Sequence, residues 1–281
     1  MYGELFAISS AVLWALTNIL VRKGLLGGTA FSAAYISTIV NFVVLWPLAL
    51  LFTDPEQIGL SGIVFLAIAG LLAATLGRMI RFLALERLGV AGSSPLVASA
   101  PLFAATYAIA RGEEFTAMIG GATVLIVLGV ILLSEGEWKM SRLGVILSLG
   151  AAMFYGFSEN FRRMGLLEIE SPSFGAAIGV SIALFSFSVY GKATKTHNNA
   201  TGRSRLWFLA AGLASSLALL FNYAALNLTD VVVVVPLINM TTLFALFFTR
   251  VFLDQYEKVT MRTIISSLMV VIGAVLIVTR F

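Results

Sequence analysis

The strongest constraint on this chain is a stretch of sequence that occurs twice, 141 positions apart. Residues 3–25 read GELFAISSAVLWALTNILVRKGL, and residues 144–166 read GVILSLGAAMFYGFSENFRRMGL. The residues Gly3, Ala11, Arg22, Gly24 and Leu25 recur as Gly144, Ala152, Arg163, Gly165 and Leu166. This pattern predicts two halves that fold alike.

The similarity continues to the end of each half. Pro95 recurs as Pro236 at the same offset, and near the end of each half Glu113 corresponds to Glu257 at an offset of 144. A polar segment at residues 134–142 separates the two copies. We therefore predict a first repeat at residues 1–138 and a second at residues 139–281.

Lipid is the solvent that the composition predicts. Hydrophobic residues make up 59% of the 281 positions, charged residues 11%, and the mean hydropathy is +1.00, so polar side chains are too few to cover a soluble protein of this length. The apolar runs are continuous, which predicts membrane-spanning helices. We expect ten spans, at residues 4–21, 31–52, 60–82, 91–110, 116–133, 143–161, 174–191, 206–226, 231–252 and 261–279.

Ten spans divide into five per copy, and five is an odd number. The second copy must then start on the opposite side of the membrane from the first. The predicted fold class is therefore an all-α membrane protein with ten transmembrane helices arranged as two inverted five-helix repeats. Many secondary transporters are built in this way, with the substrate site between the copies near the middle of the bilayer.

The chain resembles the EamA type of the drug/metabolite transporter superfamily. The resemblance rests on the five-plus-five pattern, on WALTNILVRKGL at residues 14–25 with its echo, and on GEEFT…VLGVILL at residues 112–133. It implies a multi-pass protein of the prokaryotic plasma membrane that moves small metabolites, often by exporting amino acids. The central cavity would be lined by the first, third, fourth, sixth, eighth and ninth helices, and no cofactor is implied.

The basic residues predict an orientation in the membrane. Fourteen of the 18 Lys and Arg residues fall in the first, third, fifth, seventh and ninth connections, which places these connections in the cytoplasm and both termini outside. The family resemblance favours termini inside for some members, so the orientation stays open. Basic residues spread over many short connections fit membrane loops and argue against nucleic acid as a partner.

Paired helix interruptions are the sequence signal for a binding site in this architecture. Pro95 in VAGSSP and Pro236 in VVVVVP occupy matching positions, and each proline leaves a backbone carbonyl unpaired that a cavity or a gate could use. The alternative is that each proline lies in the first turn of a helix, where it costs little.

An aromatic and a polar residue share one helical face in each copy. Trp14 and Asn18 are four residues apart, as are Tyr155 and Glu159, and we expect the two pairs to face each other across a cavity. Helix packing or anchoring at the membrane interface is the alternative for the aromatic residues. Glu159 could serve substrate binding or proton coupling, because a carboxylate inside lipid is costly, or it could pair with a nearby arginine of its own helix.

Arg78 and Arg81 share a face at the end of the third span. If the helix continues to Glu86, both guanidinium groups lie within the membrane and can bind a carboxylate or a phosphate. If it ends near Arg78, they reach the cytoplasmic surface. The second copy has Asn222 and Tyr223 in the corresponding region, and this asymmetry favours an anionic or zwitterionic substrate.

The remaining candidates are polar residues within the predicted spans, namely Ser94, Ser99, Tyr107 and Asn239. Side chains of this kind either contact substrate or cross-link helices by hydrogen bonds.

The duplicated unit predicts a transporter that moves a small polar metabolite, such as an amino acid or an organic anion, by alternating access. A proton or a counter-substrate is the expected coupling partner, and the protein would be a monomer or a homodimer. A flippase for a lipid or a lipid-linked precursor is the alternative if the cavity opens sideways. The chain has no HExxH or GxSxG motif, no cysteine and one histidine, which argues against an intramembrane enzyme and a metal site.

Overall fold

The computed structural model describes residues 2–54, 58–103, 106, 117–134, 141–196, 199–228, 234 and 237–278. All regular secondary structure in these ranges is helical. The helices are α1 (Tyr2–Leu25), α2 (Ala30–Phe52), α3 (Leu60–Ala69), a π-helical segment (Gly70–Gly77), α4 (Arg78–Val97), α5 (Ala117–Ser134), α6 (Arg142–Glu168), α7 (Pro172–Thr194), α8 (Gly202–Leu228), α9 (Thr241–Phe252) and α10 (Met261–Val278).

Short polar side chains set where several helices begin. The Thr29 hydroxyl accepts a hydrogen bond from the backbone N–H of Ser32 at the start of α2, over 3.2 Å. Ser141 and Ser171 play the same role at the start of α6 and α7. Each cap satisfies a backbone donor that the helix itself cannot pair.

Several of these helices have the length and composition of membrane spans. Five segments are long and apolar enough to cross a bilayer, namely Tyr2–Leu25, Ala30–Phe52, Leu60–Val97, Pro172–Thr194 and Gly202–Leu228. Large apolar side chains on their outer surfaces, such as Leu50, Phe185 and Leu206, are exposed. A lipid-facing surface accounts for apolar exposure on this scale.

Two helices are longer than the sequence predicted. The third span, expected to end at residue 82, continues through the π-helical segment to Gly89, and the sixth, expected at residues 143–161, extends to the end of α6. Arg162 lies in the added part of the sixth span, whereas Arg78 and Arg81 lie inside the predicted third span, and each of the three is only 5% exposed. Charge is costly in lipid, and here the guanidinium groups are buried within the protein.

The chain reverses direction inside α4, at Gly89. This residue has φ +70°, a region that glycine adopts without the steric cost of a side chain. The reversal brings Arg81 and Ser94, which are 13 positions apart, within hydrogen-bonding distance at 2.9 Å. A straight helix would separate two such residues by about 20 Å.

Three inter-helix connections and the Gly89 turn meet at one end of the bundle, which we call the Glu257 end. Arg22 Nε lies 2.7 Å from Glu257 Oε1, and the Glu257 carboxylate also contacts the backbone just after Gly89. The backbone N–H of Thr201 donates to the carbonyl of Gly27 over 3.1 Å. These contacts place the α1–α2, α7–α8 and α9–α10 connections together.

The opposite end of the bundle, which we call the Glu168 end, holds the α2–α3 and α6–α7 connections. The hydroxyl oxygens of Thr53 and Ser171 are 2.7 Å apart, and the Ser61 hydroxyl donates to Glu168 Oε2 over 2.8 Å. The described connections therefore alternate between the two ends along the chain.

Helices from the two halves of the sequence pack against one another. α1 packs mainly on α8, α2 on α7 and α8, and the α3–α4 region on α6, while α5 and α10 form a separate pair. A side chain at Gly129 would come within 3.0 Å of the Ser266 carbonyl, so small residues let α5 and α10 approach closely. The cavity described below lies between the two halves.

Candidate substrate-binding site

A cavity of about 350 Å³ lies inside the helical bundle. Its walls come from α1, the π-helical segment and α4 in the first half of the chain, and from α6, α7, α8 and the region that begins α9 in the second half. Ten of the fourteen residues predicted from the sequence line it: Trp14, Asn18, Arg78, Arg81, Ser94, Tyr155, Glu159, Asn222, Tyr223 and Asn239.

Four predicted residues are not among the lining. Ser99 is buried and donates its hydroxyl hydrogen to the Leu96 carbonyl over 2.6 Å. Pro95 is buried inside the second stretch of α4, which ends two residues later at Val97. Tyr107 and Pro236 lie outside the described residues.

Arg78 is held in the cavity wall by two side chains of α2. Its Nη1 donates to Thr38 Oγ1 over 2.9 Å and to Asn41 Oδ1 over 2.7 Å. Both acceptors are neutral, so they satisfy the hydrogen-bonding capacity of the guanidinium group without cancelling its charge.

Arg81 has fewer partners. Its Nη2 donates to Ser94 Oγ over 2.9 Å, across the reversal at Gly89. Its Nη1 is buried and has no hydrogen-bond partner among the described residues. A buried charged donor without a partner is costly, so this atom marks a place where an acceptor from a ligand would fit.

On the α6 side of the cavity, Arg162 and Glu159 form an ion pair with a distance of 2.7 Å between Nη1 and Oε1. The guanidinium group of Arg162 also lies over the ring of Tyr223, 4.8 Å from its centroid. The sequence allowed two roles for Glu159, as a cavity residue or as an ion-pair partner. In the structure it lines the cavity and also pairs with Arg162.

Two asparagines of the second half carry unpaired polar atoms. Asn222 Oδ1 and Asn239 Nδ2 are buried without a hydrogen-bond partner among the described residues. Both residues line the cavity. They offer one acceptor and one donor to a bound molecule.

Close backbone contact shapes the wall opposite α4. The α-carbon region of Gly70, at the start of the π-helical segment, packs directly on the backbone of Gly179 in α7, and a side chain at Gly70 would come within 2.8 Å of the Gly179 carbonyl oxygen. At the end of the segment, Gly77 packs on the ring of Tyr155. π-helical turns are rare and are often found at functional sites.

The cavity has a buried floor and an exposed edge. Arg78 and Arg81 form the buried floor, and the Arg22–Glu257 contact marks the Glu257 end. Arg163, which also lines the cavity, is exposed near the Glu168 end. The described lining therefore runs from buried arginines to an exposed arginine near the Glu168 end.

The sequence interpretation missed several residues of the site. Thr38 supports Arg78, and Thr17, Asn160 and Thr242 belong to the lining. Nothing in the sequence distinguished them from polar residues that only cross-link helices. Asn41, a polar residue within an apolar run that the sequence predicts to cross-link helices, also supports Arg78. In the described part of the chain, no three His, Asp or Glu side chains group closely enough to hold a metal ion.

Three matches with known proteins describe what this chain is similar to. The EamA-like transporter family model matches residues 1–135 and again residues 142–279. A protein from Archaeoglobus fulgidus described as an uncharacterized transporter is 22% identical over 279 residues, which cover 99% of this chain and 98% of that protein. A protein of known crystal structure superposes with a TM-score of 0.70 over 98% of this chain and 95% of its own, and at 14% identity this likeness concerns the fold alone.

Proposed function

The chain belongs to the EamA-like transporter family, and from that premise we propose that it is a secondary transporter that moves a small polar metabolite by alternating access. In this proposal ten membrane spans form two inverted five-helix repeats, at residues 1–138 and 139–281. The observation that carries the proposal is the cavity with arginine and asparagine side chains in its wall, because both halves of the chain contribute its lining. An amino acid or an organic anion is the class of substrate, and export is the direction that the family resemblance favours.

The size and lining of the cavity support this function. A volume of about 350 Å³ falls in the range of small-molecule sites, about 300 to 1,000 Å³. Trp14 and Tyr155 supply apolar surface, and the arginine and asparagine side chains supply fixed polar groups. A flippase would need room for acyl chains, and a cavity of about 350 Å³ with fixed polar groups suits a metabolite better.

The Glu257 contacts support a gate at one end. Glu257 Oε2 accepts hydrogen bonds from the backbone N–H groups of Val90 and Ala91 over 2.8 and 3.0 Å, while Oε1 is 2.7 Å from Arg22 Nε. One carboxylate of the second half thus holds two segments of the first half. Alternating access needs contacts that close one end and can be released together, and we assign this role to Glu257.

The sequence repeat gives Arg22 and Glu257 counterparts in the other half of the chain. Arg22 corresponds to Arg163, and Glu257 corresponds to Glu113, which lies outside the described residues. Arg163 is exposed near the Glu168 end. In the proposed cycle, Arg163 takes part in closing the Glu168 end when the Glu257 end opens.

The distribution of charge supports a cytoplasmic location for the Glu257 end. Leaving out the buried Arg78, Arg81 and Arg162, twelve basic residues remain in the odd-numbered connections and three elsewhere. The bias that predicted both termini outside therefore persists. The structure would then represent the state whose cavity faces away from the cytoplasm.

Counterflow into liposomes tests the proposed function. Purified protein is reconstituted into vesicles loaded with one unlabelled amino acid or organic acid, and uptake of the same labelled compound is followed. We expect uptake that exceeds that of protein-free vesicles for at least one compound. Absence of uptake across the panel, together with movement of labelled lipid headgroups across the bilayer, would overturn the proposal in favour of a flippase.

A further inference from the structure

We propose that the transported substrate carries an oxyanion group, a carboxylate or a phosphate monoester, and that Arg81 binds this group. The inference rests on the proposed transport function and adds the chemical group of the substrate that is recognised and the residue that binds it. Arg81 is 5% exposed, lines the cavity and has an unpaired Nη1.

The geometry around Arg81 leaves one side of its guanidinium group for a ligand. Ser94 Oγ accepts from Nη2 over 2.9 Å and fixes the orientation of the group. Nη1 is the atom that no protein acceptor reaches in the described part of the chain. An oxyanion is the acceptor that gives a guanidinium N–H its strongest hydrogen bonds.

The balance of charge in the cavity selects an anion. Among the described lining residues, four arginines accompany a single carboxylate, Glu159. Glu159 is paired with Arg162, so it does not neutralise the charge on Arg78 or Arg81. The Glu257 carboxylate interacts with Arg81 from a distance, but its oxygens are bonded to Arg22 and to backbone N–H groups. Positive charge that is only partly compensated inside a membrane protein is costly, and a bound anion relieves this cost, whereas a bound cation adds to it.

Arg81 is a better candidate for the direct contact than the neighbouring arginines. Arg78 already donates to Thr38 and Asn41. Arg162 has an unpaired Nε but carries its own counter-charge in Glu159. Arg78 lies three positions before Arg81 on the same helix, so its charge strengthens the field at the Arg81 site without making the contact itself.

Two neutral side chains of the second half can bind the part of the substrate that Arg81 does not contact. Asn222 Oδ1 can accept and Asn239 Nδ2 can donate a hydrogen bond, and both atoms are buried and unpaired in the described structure. A hydroxyl or amino group of the substrate can donate to Asn222, and a hydroxyl group can accept from Asn239. The substrate class is therefore a compact organic anion with a hydroxyl or amino substituent.

Equilibrium binding to the purified protein in detergent tests the inference without requiring transport. The probes are matched pairs that differ in the oxyanion: 2-hydroxy and 2-amino acids against their amides, and glycerol phosphate against glycerol. We expect at least one acid or phosphate to bind about tenfold or more tightly than its neutral partner. The pair that shows this preference also distinguishes a carboxylate from a phosphate.

Variants then assign the contact to Arg81. Arg81→Gln should weaken binding of the preferred anion by about tenfold or more and bring it close to that of the neutral partner. Arg205→Gln removes an exposed guanidinium group of α8 and should leave binding unchanged. Retained affinity in a folded Arg81→Gln protein would overturn the assignment. Equal binding of every acid and its amide by the wild-type protein would overturn the proposal even if the variant does not fold.

The same proteins in liposomes separate this inference from the proposed function. Anion binding that depends on Arg81, without flux of that anion, would retain the binding site and contradict the transport function. Flux of a neutral or cationic metabolite that Arg81→Gln leaves unchanged would contradict the anion inference and retain transport.

Discussion

Asn41 shows how one residue makes a buried charge tolerable in this protein. Its Oδ1 accepts from Arg78 over 2.7 Å, and its Nδ2 lies 2.8 to 2.9 Å from the carbonyl of Gly212 and the hydroxyls of Ser215 and Ser216. The side chain is fully buried. Asn41 therefore joins α2 to α8 and also fixes the arginine in the cavity wall.

Replacing Asn41 by leucine keeps the size of the side chain and removes these hydrogen bonds. We expect Asn41→Leu to lower the free energy of unfolding by about 1 to 2 kcal/mol, because Arg78 loses a buried acceptor. The melting temperature in detergent reports this loss. Ser186→Ala is the control, since Ser186 donates only to a carbonyl of its own helix. Equal melting temperatures for the two variants would show that the Asn41 network adds nothing to stability.

A glycine is required at position 89 by the backbone conformation there and by the close contact with Glu257. Its φ of +70° disfavours residues with a side chain, and a β-carbon there would overlap the Glu257 carboxylate. We expect Gly89→Ala to destabilise the protein by on the order of 1 to 3 kcal/mol. Gly121→Ala is the matched control, because in the described part of the chain no atom of another segment lies within 4 Å of a β-carbon at that position. A melting temperature of Gly89→Ala as high as that of the control would contradict the prediction.

At the scale of elements, the second stretch of α4 is capped by a residue of another segment. Helix N-termini leave backbone N–H groups unpaired, and Glu257, from the α9–α10 connection, accepts from Val90 and Ala91. A carboxylate also interacts favourably with the positive end of the helix dipole. The contact thus couples the position of α4 to the position of α9 and α10.

Removing this cap should expose the start of the helix to exchange. We expect amide hydrogen exchange at Val90 and Ala91 to become about tenfold faster in Glu257→Ala, which corresponds to a loss of about 1.4 kcal/mol. Glu168→Ala is the control, since Glu168 contacts Ser61 at the other end. Unchanged exchange at both amides would refute the capping role.

The proposed role of Glu257 as a gate can be tested separately with the Glu257→Ala variant. Because the chain has no cysteine, a thiol introduced as Asn18→Cys can be followed alone in the cavity. Glu257→Ala should let a water-soluble thiol reagent that is confined to the Glu257 side of sealed vesicles reach this position. Protection equal to that of the Asn18→Cys protein without the second change would exclude Glu257 as a gate.

At the scale of the whole molecule, the two ends differ in charge, and this difference makes the orientation testable. Asn199 lies in the α7–α8 connection at the Glu257 end, Glu170 follows α6 at the Glu168 end, and both are exposed. With an impermeant thiol reagent on intact cells, we expect Glu170→Cys to react at once and Asn199→Cys to react only after permeabilisation. The reverse order would place both termini inside.

Many of the residues that line the cavity could be predicted because they occupy matching positions in the two copies of the repeat. Trp14 and Asn18 in α1 and Tyr155 and Glu159 in α6 were chosen by their matching positions, and the structure brings all four to one cavity. The position of Pro95 was less informative, because a proline inside a helix can face the cavity or the packed interior. Whether any of these residues binds substrate stays a prediction.

The extent of the third span could not be predicted. The sequence allowed a helix that stops near Arg78 or one that continues to Glu86, and the decision depends on acceptors 37 and 40 positions away, at Asn41 and Thr38. Local hydropathy cannot register partners at such a distance. The same reason explains why Arg162 was not recognised as part of the cavity.

The sequence by itself determined that this protein is helical, suited to lipid, duplicated and related to one transporter family, which the family match confirms. Composition and short-range periodicity encode these properties, because they depend on the solvent and on neighbours along the chain. Only the tertiary structure decided which arginines are buried, which donors stay unpaired and which end Glu257 holds together. Those properties depend on groups that are distant in the sequence and meet only when the helices pack.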